Sequence, residues 1–514
     1  MTVKKSYYSI IDIGSNSIRL VIYAQDHSLR LHEVENVKAM ARLRNYLTED
    51  NVMNNKGIEK LIRTLTSFRE VVHNYELTEF ICVATAAVRQ AKNQAEICEQ
   101  VYEATGWKLR ILSEKEEAYY GYLSVVNSTT INEGITIDIG GGSTEITYFK
   151  DRRIVHAHSF PFGALTLKQF FNSAKPTRKE IHELQEFLRS QLKTLNWIKG
   201  KAVPLIAIGG SARNLVQVHQ QLVKYPLAGL HQYLMTDKAI EKVCRYLANF
   251  NESGLEKIEG LSKERADTIV PASFVFLTIY QFMKAKGFIL SRKGLRDGVF
   301  YEHLAANADE NLYPDVLKDS ILELVYEYNL NREQIQHIAM LSKKLLEGLA
   351  ELQVGELTSS DWKYLQLGCY VYNLGNYIDS ESSSQHSFYL LANRTIDGLL
   401  HIERLKLALL ASFKNKTAFQ QYMQSFTDWL SDKEQEKLYT LGALLKFMYC
   451  LDATKRQVVT DFDLKITKRD IYLDVYCNQD FMPEQYQAEK QKKHLEKALD
   501  RNVHINFTIP VLKS

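Results

Sequence analysis

The hexapeptide Asp12-Ile-Gly-Ser-Asn-Ser returns once, at position 138, as Asp138-Ile-Gly-Gly-Gly-Ser. Each copy closes an apolar run (residues 7–11 and 134–137) and opens an alternating one (18–24 and 144–149), so each reads as strand, tight polar loop, strand. A loop that recurs once at domain-sized spacing specifies a duplicated fold and excludes a solenoid, whose units are shorter and more numerous. Around the first copy, helical spacing over residues 55–73, 93–105 and 114–126 accompanies a buried strand running into a loop over 80–88 and a strand at "WKLRIL". Around the second, a helix over 178–196 precedes a strand over 204–210. These patterns predict mixed sheets flanked by helices.

The 514 residues are too many for one hydrophobic core. From about Tyr313 to Cys450, segments such as "REQIQHIAMLSKKLLEGLAEL" and "DWKYLQLGCYVYNLGNYI" carry apolar residues at helical spacing and predict an all-α domain. Alternation returns from Arg456, with a helix over 483–499, as a small α/β tail. The expected domains are 1–126, 127–306, 307–452 and 453–514. Net charge is only +3, so any basic groove must be local. Six scattered cysteines form no CxxC pair and read as reduced thiols. The apolar stretch after Lys4 and Lys5 is too short for a signal peptide, and no run reaches the roughly 18 apolar residues of a membrane span. A soluble, cytoplasmic protein is expected.

Glycine lets a backbone approach an anion and aim successive N–H groups at it. Gly14, Ser15, Asn16 and Ser17 form one such cradle; Gly140, Gly141, Gly142, Ser143 and Thr144 form the other. Asp12 and Asp138 stand at strand ends, where a carboxylate can hold Mg²⁺ beside phosphates, directly or through water. In "IAIGGSARNL", Gly209, Gly210 and Ser211 lie at a strand-to-helix junction, where a helix N-terminus favours an anion. A plain hairpin turn explains one such loop; it does not explain a matched pair.

The duplicated loops and the later Gly-Gly turn resemble the actin, hexokinase and heat-shock-chaperone superfamily. Within it the chain is identified as a member of the exopolyphosphatase/guanosine pentaphosphatase family. The carriers are "DIGSNSIRL", "VATAAVRQAKN", "SEKEEAYYGYLSV", "IDIGGGSTEI", "AIGGSARNL", "RADTIVPASFVF" and "GLRDGVFYEHL", in the family's order from residue 12 to 304. The resemblance implies two actin-like (ribonuclease H-like) α/β domains, then an all-α HD-like domain and the small α/β tail. It also implies Mg²⁺-dependent hydrolysis of the terminal phosphoanhydride bonds of inorganic polyphosphate.

By position in "EKEEAYYGYL", the resemblance assigns the general base to Glu117, with Glu116 as the competing assignment. A carboxylate beside the terminal phosphate can orient a water and take its proton. A solvated first helical turn is the plain alternative for both. Glu145 resembles the family's second essential carboxylate, holding metal or water; otherwise it is a surface residue opening a strand. Asp12 and Asp138 carry over as metal-site carboxylates and the loop residues as phosphate cradle. Arg89 and Arg265 either neutralise phosphate oxygens or make structural ion pairs. Arg19, on the hairpin strand, has less to support it.

In the helical domain His337 matches the first HD histidine, but Tyr372 and Asn373 stand where the His-Asp pair would fall. That domain is therefore expected to hold no hydrolytic metal site. Lys465, Lys468, Arg469, Lys490, Lys492 and Lys493, interleaved with Tyr472 and Tyr476, make either a polyanion track or a solvated face. A homodimer is a further implication of the resemblance; membrane and nucleic-acid partners are not expected. The rival readings are a guanosine pentaphosphate 5′-phosphohydrolase and a nucleotide or alarmone sensor (guanosine tetraphosphate included) without turnover. A sugar or acetate kinase is a third, which leaves "EKEEAYYGYL" and "RADTIVP" unexplained.

Overall fold

A computed structural model describes residues 6–25, 31–173, 175–304, 312–352 and 354–510. They form two units: Met1–Tyr225 with Leu230–Val316, and Pro226–Gly229 with Leu317–Ser514. In the first unit, β1 (Ser6–Ile13), β2 (Ser17–Gln25) and β3 (Leu31–Met40) make an antiparallel meander. β4 (Leu77–Ala84) lies parallel to β1 on its free side, and the short β5 (Arg110–Ile111) completes the order β3-β2-β1-β4-β5. The second sheet repeats the plan. β6 (Glu133–Ile139), β7 (Thr144–Lys150) and β8 (Arg153–Phe160) form the meander, and β9 (Leu205–Ile208) lies parallel to β6. β10 (Tyr233–Met235) and β11 (Phe288–Leu290) complete the order β10-β11-β9-β6-β7-β8. The duplication seen in two loops is a duplication of sheets.

β1 is covered on both faces, which suits its unbroken apolar run. Ile11 and Ile13 pack with Ile58, Leu61, Leu65 and Phe68 of the helix Asn55–Val72, whose apolar residues fall three and four apart. Ile10 packs on the other face with Tyr120, Val299 and Phe300. Tyr120 belongs to the helix Glu114–Val126, and Val299 and Phe300 to the helix Leu295–Leu304. Further along, Tyr122, Leu123, Val125 and Val126 meet Phe149, Ile206 and Ile208 of the second sheet. One helix is thus anchored to both sheets, and its first turn lies where they meet.

In the segment 80–88 the strand ends at Ala84, and a helical turn stands where a loop was expected. Thr85 donates its N–H to the Ile13 carbonyl at 3.0 Å, and the chain coils into the helical turn Ala86–Arg89. An apolar run does not distinguish a buried strand from a buried helical turn, and alanine favours the latter.

In the second unit, helices run from Arg332–Glu351 to Asp432–Cys450. The long segment ending "YNLGNYI" is broken: the helix Trp362–Val371 stops, and the Gly375 N–H bonds to the Ser387 hydroxyl at 2.9 Å instead of continuing the helical ladder. β12 (Val459–Ile466) and β13 (Asp470–Cys477) form a hairpin, and β14 (Asn502–Thr508) joins β13 in parallel after the helix Met482–Leu499. Among the described residues no helix is long and apolar enough to cross a membrane.

Candidate active site

Both loops close the same way: the Gly14 N–H donates to the Ser17 carbonyl at 3.1 Å, and the Gly140 N–H to the Ser143 carbonyl at 3.0 Å. They face each other. A Cβ built on Gly141 would stand 3.4 Å from the Ser15 Cβ, and Ser15, Asn16, Gly140 and Gly141 line one open cleft with Arg265. The third segment joins them. Gly209 has φ +84°, and a Cβ there would collide with the Asp138 Oδ1, so glycine is required. Arg265 lies against Gly210 and donates to the Ser211 hydroxyl at 3.1 Å. Thr144 turns its hydroxyl to the Phe162 carbonyl at 2.8 Å, so that hydroxyl is engaged within the fold.

The helix Glu114–Val126 separates the two candidate bases. Ser113 and Glu116 form a capping box: the Glu116 carboxylate accepts from the Ser113 N–H and hydroxyl, each at 2.8 Å, and pairs with Arg110 at 2.6 Å. Glu116 is therefore engaged in holding the helix end. Glu117 faces inward, with 12% of its side chain exposed, and accepts a hydrogen bond from Arg89. Arg89 also donates to the Leu112 carbonyl at 2.8 Å, and its buried Nη2 meets no acceptor among the described residues.

Asp12, Asp138, Glu117 and Glu145 are close enough to shift one another. Burial raises the Asp12 carboxyl, opposed by Arg296 at 3.7 Å and by Arg19. Burial pushes Asp138 up to about 6, with Arg265 opposing and Asp12 adding. Burial raises Glu117, against Arg89 and with help from Asp138 and Asp12. Burial raises Glu145 as well, then Glu117; hydroxyls of Ser143 and Ser159 lower it, Ser159 at 3.0 Å. Crowded carboxylates of this kind invite a cation. The donor set is all oxygen and fits Mg²⁺, which takes one or two carboxylates and fills its shell with water and phosphate. Among the described residues, no three His, Cys, Asp or Glu side chains form a ready-made metal cage.

Residues 21–307 match the model of the Ppx/GppA phosphatase family, and residues 316–497 that of Ppx/GppA phosphatase domain III. The chain belongs to the Ppx/GppA phosphatase family. A solved family member from Aquifex aeolicus is 26% identical, covering 60% of this chain and 100% of its own, with a TM-score of 0.53. Another structure of the Aquifex aeolicus PPX-GPPA enzyme covers 58% of this chain and 99% of its own at 26% identity and a TM-score of 0.52. An exopolyphosphatase from Cytophaga hutchinsonii is 20% identical over 59% of this chain and 98% of its own, with a TM-score of 0.54, a likeness of fold. The protein is accordingly a phosphatase, with the duplicated actin-like sheets of its family.

Three residues near this phosphatase site went unread in the sequence. Arg44 comes within 3.0 Å of a Cβ built on Gly142 and is held by Gln90. Ser159 holds Glu145, and Arg296 faces Asp12. In the domain III region, Tyr372 stacks on Tyr449 at 4.4 Å, and Asn373 donates to Gln334 at 3.4 Å. His337 is half-buried beside the charge of Asp452. In the tail, Tyr472 stacks on His504 at 4.8 Å, Tyr476 donates to Asp463 at 2.7 Å and Lys492 pairs with Glu489 at 2.8 Å.

Proposed function

We propose that this phosphatase removes the terminal phosphate of inorganic polyphosphate, with Mg²⁺ as cofactor. The observation that carries the reading is Glu117, a buried carboxylate tied to Arg89, on the helix shared by both sheets and within reach of Asp12, Asp138 and Glu145. A carboxyl raised by burial accepts a proton more readily than an exposed one. In this reading the terminal phosphate lies between the Gly14–Ser17 and Gly140–Ser143 loops. Glu117 orients a water in line with the terminal phosphorus and takes its proton. Arg89, Arg265 and the loop N–H groups offset charge on the transferred group. Asp12 and Asp138 would hold Mg²⁺, which supplies further neutralisation of phosphate oxygens. Glu145, held by Ser143 and Ser159, completes the acidic side. The products are orthophosphate and a chain shorter by one unit.

The test measures phosphate release from long polyphosphate and from guanosine pentaphosphate with Mg²⁺, for the wild type and Glu117→Gln. Polyphosphate is expected to give the higher kcat/KM, and the variant to lose at least ~100-fold of kcat, the contribution of a positioned acid–base group. Preference for the nucleotide would shift the substrate to guanosine pentaphosphate. Near-normal turnover by the variant would remove Glu117 from the base role, and binding without turnover would make the protein a sensor.

A further inference from the structure

The helix Gly209–Leu222 buries one side, with Leu215, Val216 and Val218 in it, and that buried set includes an amide, Asn214. Asparagine is a poor helix former, and a buried amide costs stability unless its polar atoms are paired. Here they are paired. The Asn214 Oδ1 accepts from the Ser262 N–H at 2.6 Å and from the Ser262 hydroxyl at 2.9 Å, and its Nδ2 donates to the Gly210 carbonyl at 2.8 Å. An N–H can only donate and a carbonyl can only accept, so one orientation of the amide serves both sides.

The segment from Gly260 to Arg265 runs along this helix in the opposite direction. A Cβ built on Gly260 would stand 2.8 Å from the Gln217 carbonyl carbon, so the backbone there lies directly on the helix. Ser262 is held at Asn214, and Arg265 donates to the Ser211 hydroxyl at 3.1 Å. Gln217, Asn214 and Ser211 are spaced by three and make one ridge of the helix. The Ser262 carbonyl accepts the Arg265 N–H at 2.9 Å, which closes the turn that carries the arginine. Arg265 is thus fixed at both ends from one helix: its main chain through Ser262 and Asn214, its guanidinium through Ser211. That guanidinium lies against Gly210 and lines the cleft beside Ser15, Asn16, Gly140 and Gly141.

The neighbours of Arg265 in sequence hold the segment differently. Glu264 pairs with Lys38 at 3.2 Å and Asp267 with Lys168 at 3.4 Å, both partly exposed. Such pairs contribute little to holding one geometry, whereas a long side chain has several rotors to fix. The buried contacts of Asn214 do what the surface pairs do not.

We propose that Asn214 is a positioning residue for phosphate release: it fixes the main chain at Ser262 and, through it, the Arg265 guanidinium at the wall of the cleft. The inference rests on the reading that Arg265 offsets charge on the transferred phosphate.

The test is a double-mutant cycle in the full chain: Asn214→Ala, Arg265→Met and the two together. Phosphate release is followed with Mg²⁺ on long polyphosphate, or on guanosine pentaphosphate if the wild type turns over only that. Alone, Asn214→Ala is expected to lower kcat at least ~10-fold, within the ~100-fold that a misplacement of about 1 Å costs, with KM changed less than ~3-fold. Beside Arg265→Met the same change is expected to cost less than ~2-fold, because the group it places has gone. The melting temperature is expected to fall in both backgrounds, since the Ser262 N–H and the Gly210 carbonyl lose their partner either way. Ser262→Ala removes one hydroxyl bond, keeps the amide, and decides the matter if Asn214→Ala does not fold. It is expected to cost ~3-fold in kcat, a loss that also disappears beside Arg265→Met. Equal kcat losses with and without Arg265 would make Asn214 a structural residue and overturn the proposal while leaving the proposed activity intact. Full turnover by Arg265→Met would take the arginine out of the mechanism and the positioning role with it. If the wild type hydrolysed neither substrate, the proposed activity would fail. The same cycle read by calorimetry with tripolyphosphate would then decide, coupled losses supporting the positioning role and additive losses overturning it.

Discussion

The two hairpins at the centre of the site are near copies in backbone and opposites in charge. Each carries an aspartate at the end of its first strand and the same closed turn. Across the turn, Asp12 pairs in register with Arg19, and Asp138 with Glu145. Opposed residues in an antiparallel pair share a face. Within its own hairpin Asp12 therefore has a cation, Arg19, which adds to Arg296 against the effect of burial, whereas Asp138 has a second carboxylate and takes its opposing cation, Arg265, from outside the hairpin. The third strand extends the contrast: Arg19 lies opposite Lys38, and Glu145 opposite Ser159. Duplication alone builds a symmetric cradle for an anion. In the proposed reading one divergent row tilts it: the first hairpin adds a cation that favours phosphate, and the second adds a carboxylate that favours a metal ion or a proton.

The sharpest way to break that contrast is to erase it. Glu145→Arg copies the first hairpin onto the second and is expected to lower kcat by ~1,000-fold, the scale of losing transition-state electrostatics. Steady-state phosphate release checks this; retention of most of the wild-type rate would mean that the charge of the row is incidental. Next in size is Gly209→Ala, which forces a Cβ against Asp138 at a positive φ. It is expected to cost about 1–3 kcal/mol in urea unfolding. A variant as stable as the wild type would show that the third segment is free to move away from the second hairpin.

The acid half also has a pH signature. Burial and Glu117 raise the Glu145 carboxyl above its ordinary value, so the folded protein keeps a proton that the unfolded chain has released. Stability on this account falls as pH rises through that window. Glu145→Gln removes the effect. Without metal, the melting advantage of the variant over the wild type is expected to be small near about pH 5 and to widen toward about pH 8. Added Mg²⁺ should narrow it. A gap that closes with rising pH would mean that Glu145 is a stabilised anion, as in an ion pair.

Much of this was readable from the chain because the signals are local. The duplicated loop, the helical spacing of residues 55–73 and the alternation in the tail each lie within a few turns of backbone. The choice between Glu116 and Glu117 was also open to reading, since Ser113-x-x-Glu116 spells a capping box that engages the first and leaves the second. Arg44, Arg296 and Ser159 were not readable. Arg44 meets Gly142, and Arg296 meets Asp12, across long stretches of chain with no pattern to mark the encounter. Ser159 becomes visible only once the register of β7 on β8 is known.

Ser159 offers the finest probe of the two rows. Its hydroxyl donates to Glu145 at 3.0 Å, while Ser143 supplies a second hydroxyl from the loop. Ser159→Ala removes one of two donors and leaves the carboxylate in place, so the expected loss is that of one hydrogen bond, about 0.5–1.5 kcal/mol. The loss should fall on kcat, with KM for polyphosphate unchanged, and Ser159→Thr should restore it. Lys38 holds the corresponding place in the first row and pairs with Glu264 at 3.2 Å. If Ser159→Ala instead raised KM and left kcat alone, the second row would be serving substrate binding like the first, and the division of labour between the hairpins would have to be abandoned.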